Sequence, residues 1–403
     1  MRFRRLSISY VFILSAVSAM ALFMFIASSR DRISPEKCRS LGIPVMFIET
    51  HMGKFITSKE KYVDAKYEAD EFSGKCKVRG HGNTTWKTRE LYKKPYLLKL
   101  EKPASLYGMN PARKWILAAN TSDKTFLRNH YGYWLSKNAW NRSGRTPEAV
   151  DVFLFINGKF NGIYSVTEKI EVAPGRLELG PGSFLATVNN RLNKEWNFTT
   201  EHGVNFSIRM KDCTDGQYRE MQQTVQRTEN AIYAGDWKNI IDVPSFVDWY
   251  LLNEFIRNKD ANFLASCYMT WDGAAGRMHM GPVWDMDLSC GNVGFEDGHN
   301  PQGWWVRNRY WYEQLLADEE FRELVRQRWK ETRPQVLESL SWLESQGQKY
   351  RELVMLNDRV WHNIGKKQWP HAPGWKNRIT YESEIRYMED FLKNRMDWMD
   401  ENL

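Results

Sequence analysis

The hydrophobic pattern of this 403-residue chain changes period near residue 210. Before that point, apolar residues come in short extended runs at 44–49, 75–79, 95–100 and 115–118. One stretch differs. Over 123–140, Phe126, Leu127, His130, Tyr131, Trp134 and Leu135 repeat near a period of 3.6, with Ser122 or Asp123 placed to cap a helix. Runs at 150–156 and 162–167 flank Asn157-Gly158, a hairpin by its turn chemistry. Residues 183–210 read as extended. Beyond them, 217–235 and 245–259 read as helices, and 266–271 with 277–283 as a second hairpin. The stretch 312–400 is mostly helical and rich in Trp and charge. Strands first and helices later predict an α+β body of two lobes. The expected division is a strand-rich lobe at 43–210, a second lobe at 211–330 and C-terminal helices at 331–403.

A mean hydropathy of −0.60 excludes a polytopic membrane protein. Residues 8–28 are nonetheless uncharged and mostly apolar, and Arg2, Arg4 and Arg5 precede them. About 20 apolar residues span a bilayer, and the positive flank keeps the N-terminus inside. The expectation is a cytoplasmic tail at 1–7, a single transmembrane signal-anchor at 8–28, a linker at 29–42 and an extracytoplasmic body. Ala19-Met20-Ala21 also fits a cleavage site, which would release a secreted protein. The formal charge of +8 is unevenly spread: residues 75–145 hold 16 Lys/Arg against three acids, 16 − 3 = +13. A block this basic suits phosphates. Because it sits against an acidic remainder, the net charge does not argue for nucleic acid.

The acidic signal begins with Asp260, just beyond a helix. It continues through the second hairpin into Trp284-Asp285-Met286-Asp287. Protein kinases place a catalytic Asp, a short hairpin and a metal-binding Asp in this order. Mg²⁺ takes one or two carboxylates plus substrate phosphates. Asp285 and Asp287 read equally well as turn residues. On the basic side, Arg79-Gly80-His81-Gly82-Asn83 can offer backbone N–H groups to a phosphate. Lys94 and Lys99 flank the next strand on opposite faces, and Glu168 could orient one of them. Lys124 and Arg128 stand at i, i+4 near a helix N-terminus, where cations oppose the dipole, so an anion is expected there and a phosphate clamp is one reading. Trp284 offers a stacking face to a base, although core packing is the commoner role.

The segments RGHGNTTW (79–86), KKPYLLKL (93–100), KWILAANTSDKTFLRN (114–129), VFLFINGKFNGIYSVTEKI (152–170), FVDWYLLNEFIRNKDA (246–261) and MGPVWDMDLSCGN (280–292) occur in this order. Together they resemble the CotH family of atypical, secretory-type protein kinases over roughly residues 43–330. The resemblance implies a bilobal kinase-like fold, ATP with Mg²⁺ or Mn²⁺, and phosphoryl transfer to Ser or Thr hydroxyls of a protein acceptor. It places the family's essential acids on Asp260, Asp285 and Asp287. It places the ATP-side residues on Arg79, Lys94 or Lys99, and Glu168. His81 stands where many members carry Asn or Arg. Two other readings remain: a non-catalytic surface or coat-assembly binder of the same fold, and a glycosyltransferase with an Asp-x-Asp metal motif.

Overall fold

The computed structural model describes residues 33–190 and 196–403. The expected tail and anchor, 1–7 and 8–28, lie outside the described residues. Among the described residues no helix is long and apolar enough to cross a membrane. Part of the expected 29–42 linker is helical. The Ser34 hydroxyl accepts from the Lys37 N–H to start α1 (Pro35–Arg39), which buries Cys38.

Mixed α and β structure is observed, as expected. Seven strands, β1 (Val45–Thr50), β2 (Val63–Ala69), β3 (Phe72–Gly80), β4 (Tyr96–Ala104), β5 (Ala112–Ala118), β6 (Ala149–Ile156) and β7 (Lys159–Glu168), close a barrel in the order β1-β2-β3-β4-β5-β7-β6. Every pairing is antiparallel except β1 with β6, where Val45 faces Phe153. That parallel seam joins segments about a hundred residues apart and removes both sheet edges. Alternation sorts the side chains. In β3, Cys76 and Val78 point into the barrel core, while Lys75, Lys77 and Arg79 point outward. β6 and β7 are buried on both faces: Leu154, Tyr164 and Val166 fill the barrel, and Phe153, Phe155 and Phe160 join the second, larger core. Their turn places Asn157 and Gly158 at φ 51° and 72°, the type I′ geometry that Asn-Gly favours.

A second sheet contains β8 (Phe184–Asn189), β9 (Asn197–Thr199), β10 (Asn205–Ile208), β11 (Ala265–Asp272) and β12 (Arg277–Met280), in the order β12-β11-β8-β10-β9. It therefore joins strands from both sides of residue 210. The expected hairpin at 266–283 forms its outer pair, with Met269 opposite Met280.

The helices are α2 (Thr84–Lys87), α3 (Arg128–Asn138), α4 (Asp215–Ala234), α5 (Val243–Phe255), α6 (Tyr310–Leu315), α7 (Glu319–Trp361) and α8 (Tyr381–Asn402). α4 opens with a Thr214–Gln217 capping box and stops at Gly235 in the left-handed region. α3 begins at 128 rather than 123. Asp123 accepts the N–H groups of Thr125 and Arg128, at 2.9 Å each, and so holds residues 123–127 in a turn ahead of the helix. α7 and α8 pack on each other and close the larger core.

Candidate functional site

A cleft of about 580 Å³ is lined on one side by the outer wall of the barrel and on the other by the second sheet and the loops below it. Arg79 and Gly82 line the barrel side. Arg79 donates to the carbonyls of Lys59 and Gly80 and lies 5.2 Å from the Tyr62 ring centre. The two glycines answer a packing demand. A Cβ on Gly80 would stand 2.4 Å from the Trp86 ring, and one on Gly82, at φ +75°, would stand 2.5 Å from Thr85 Oγ1. The turn can therefore lie flat on α2 only with glycine at both positions.

Asp260, Asp285 and Asp287 line the opposite side, with Trp284 half-buried beside them. Backbone bonds stitch the two acid-bearing loops together. The Lys259 N–H donates to the Leu288 carbonyl at 2.9 Å, and the Cys290 N–H to that of Ile256 at 2.7 Å. Side chains fix the second loop further. The Met286 N–H donates to Asn129 Oδ1 at 2.8 Å, and Asn292 Nδ2 donates to the carbonyls of Asp287 and Ser122. The Ser266 hydroxyl donates to Asp285 at 3.1 Å, and the Ser122 hydroxyl donates to Asp287. Asp285 adopts φ +63°, a conformation this cross-bracing maintains. Burial, then the adjacent Asp285 carboxylate, pushes Asp287 up to about 7.

Several candidates lie elsewhere, and each has a structural role. The Lys124–Arg128 phosphate clamp is not formed. Arg128 is fully buried against Asp123 at 2.5 Å and donates to the carbonyls of Ser289 and Cys290. Against the cost of burial, Asp123 holds the Arg128 pKa above its ordinary value. Lys124 pairs with Glu384 at 3.3 Å and donates to the Lys366 carbonyl. The anion expected near this helix start is thus supplied by the protein's own carboxylates. Glu168 orients neither lysine: it binds Arg145 at 2.7 Å and Arg176 at 2.9 Å. Lys94 precedes β4 and donates to the carbonyls of Thr85, Trp86 and Thr88, closing the C-terminal end of α2. Lys99 points outward from β4 toward Tyr62 and lines a separate depression on the barrel.

The structure adds residues that motif reading passed over. Arg209 lines the cleft, and among the described residues its guanidinium takes part in no hydrogen bond or ion pair. It follows β10 in a segment read only as extended, so no local signal marked it. Ser122, read only as a helix cap, and Asn129, just after the 122–128 motif, both brace the acid loop. Trp369, from the C-terminal region assigned only to packing, also lines the cleft.

Among the described residues no three His, Cys, Asp or Glu side chains converge as a self-contained metal site. Asp285 and Asp287 are two crowded carboxylates on one braced loop, facing a barrel wall that carries Arg79, and Arg209 from the end of β10 also lines the cleft. That donor set fits a hard divalent cation completed by phosphate oxygens rather than a closed protein cage. A comparison with curated proteins returned no match. A family model described as CotH kinase protein matches residues 77–399. The match takes in the barrel wall from β3 onward, both acid loops and almost all of α8, and the chain belongs to the CotH kinase protein family.

Proposed function

We propose that the protein is a CotH-type kinase that transfers the γ-phosphate of ATP to Ser or Thr hydroxyls of a protein acceptor, with Mg²⁺ or Mn²⁺. The observation that carries this reading is one cleft holding Asp260, Asp285 and Asp287 on one side and Arg79 on the other. In this reading the barrel and the second sheet act as the two lobes of a kinase-like fold. Asp285 and Asp287 would hold the cation, which would offset phosphate charge when bound. Arg79 and Arg209 bind the phosphate oxygens, and the N–H groups around Gly82 add uncharged donors. Asp260 orients the acceptor hydroxyl and takes its proton. Trp284 supplies an aromatic face for the nucleotide. The protein's contribution is positioning and preset charge, since this chemistry needs little else. The readings of 8–28 as an anchor and of the body as extracytoplasmic rest on the apolar run and its arginine flank.

Radiolabelled ATP with purified protein tests the activity. Metal-dependent labelling of the protein or of a Ser/Thr acceptor is expected, falling at least about 100-fold in Asp260→Ala and Asp285→Ala. Labelling of equal strength in both variants would remove these residues from the mechanism.

A further inference from the structure

The cation-rich row on the outside of the barrel serves neither the core nor the cleft. Strand register sets it out. Lys77 on β3 is directly opposite Lys99 on β4, and Lys99 is opposite Lys114 on β5. Lys66 on β2 faces Lys75 on β3. Like charges directly opposite on adjacent strands are unfavourable, and sheets usually alternate sign at such positions. Counter-charges are present but incomplete. Asp64 lies 3.4 Å from Lys77 in an exposed pair, and Glu171 binds both Lys114 and Lys169. Lys66, Lys75, Lys77, Lys99 and Arg113 line a depression of about 630 Å³ whose carboxylates are Glu49, Asp64 and Glu101.

The row is continuous with the cleft. Two residues along β3 and β5, about 6.6 Å at strand rise, the next rung is Arg79–Leu97–Ile116, and Arg79 and Ile116 line the cleft. At the other end, Lys169 is pulled down to about 8 by burial, with Lys114 and the cleft's Arg209 adding repulsion against Glu171. Cationic surface thus runs outward from the phosphate-facing wall through Arg79.

We infer that this outer barrel row is an acceptor-docking strip that takes an Asp/Glu-rich segment of the protein substrate, lying beside the Ser or Thr presented to the cleft. The inference rests on the kinase reading for what is presented, but the docking itself needs no turnover. Carboxylates seated over Lys77, Lys99 and Lys75 relieve the like-charge rung and draw acidic acceptors to the site by steering.

Fluorescence anisotropy on the whole purified protein, without nucleotide, tests docking apart from catalysis. The probes are a Ser-containing peptide with a Glu run, its Gln counterpart and its Lys counterpart. The Glu peptide is expected to bind about tenfold more tightly than the Gln peptide. The difference should vanish at about 0.5 M salt and in the Lys75→Gln/Lys77→Gln/Lys99→Gln variant. That variant should keep the wild-type melting temperature and the wild-type KM for ATP, since none of the three lysines lines the cleft. Equal binding of Glu and Gln peptides, or Glu binding that survives the triple substitution, overturns the strip. So does binding of anionic vesicles or duplex DNA with no preference for the Glu peptide. If the Glu peptide docks as expected and no phosphate is transferred to any acceptor, the kinase reading fails while the docking surface stands.

Discussion

At the scale of single residues, charge inside this protein is placed to be answered by other charge. His130 on α3 lies 3.0 Å from both oxygens of Asp151 on β6, which also accepts from Ser165 at 2.5 Å and Tyr350 at 2.7 Å. Ser165 in turn accepts from Asn120, a cleft-lining residue, at 2.7 Å. Burial alone would lower His130, but Asp151 raises it above its ordinary 6.5, and Asp151 is itself lowered. A raised histidine contributes stability that is full below pH 6.5 and is lost as pH rises through its folded value. A lowered aspartate contributes stability above its ordinary 3.8 and loses it as pH falls through its folded value. The melting temperature is therefore expected to fall as pH rises above 6.5, by a few degrees. His130→Gln should be about 1–3 kcal/mol less stable at pH 6 and should lose that slope. Thermal unfolding of both proteins from pH 5 to 9 measures this, and parallel curves would refute the pairing.

At the scale of elements, the segment 122–129 carries the most instructive difference between sequence and structure. Its helical periodicity and its Lys/Arg spacing are both legible, and the helix is present. Its start and its purpose are not, because both depend on partners more than 150 residues away. Arg128 reaches Ser289 and Cys290, Asn129 holds Met286, and Ser122 meets Asp287. Gly132, one turn on, is equally constrained: a Cβ there would stand 1.8 Å from Met286 Sδ. The same logic explains Glu168, whose partners Arg145 and Arg176 lie in loops with no regular spacing to it. By contrast, the hairpins and the Asp260 to Asp287 series are legible because their geometry is local. The element-scale prediction concerns Arg128→Ala, which leaves Asp123 buried without its counter-charge and removes two contacts to the acid loop. A loss of about 3–5 kcal/mol is expected in denaturant unfolding. Arg128→Met, which keeps the volume, should recover little of it, because Asp123 stays buried without its ion-pair partner.

At the scale of the whole molecule, the C-terminal helices are built into the site they stand behind. Glu254 in α5, six residues before Asp260, is fully buried. It accepts the N–H groups of Trp305, Val306 and Arg307 and pairs with Arg395 of α8 at 2.7 Å. Burial pulls Arg395 down to about 10, the cost of bringing a guanidinium into the core, and its remaining donors are filled by the carbonyls of Glu254, Pro301 and Gly303. Around that pair, Met388, Phe391, Leu392 and Met399 complete the larger core. This closure was not legible in the sequence, where Trp-rich amphipathic helices read as packing of unspecified direction. Neither was the barrel, whose β1–β6 seam has no local signature. A chain ending at residue 361 would expose those apolar side chains, strand the Glu254 charge and take Trp369 out of the cleft wall. It is expected to lose cooperative unfolding and to bind hydrophobic dye. Arg395→Met in the full-length chain is the finer probe. It keeps the packing volume but leaves the buried carboxylate unpaired, so it should cost about 3–5 kcal/mol and weaken nucleotide-dependent stabilisation through the displaced Asp260 loop. A sharp, wild-type-like melt for the truncated chain would show instead that the helices are an appendage, and that the site is held by the barrel and the second sheet alone.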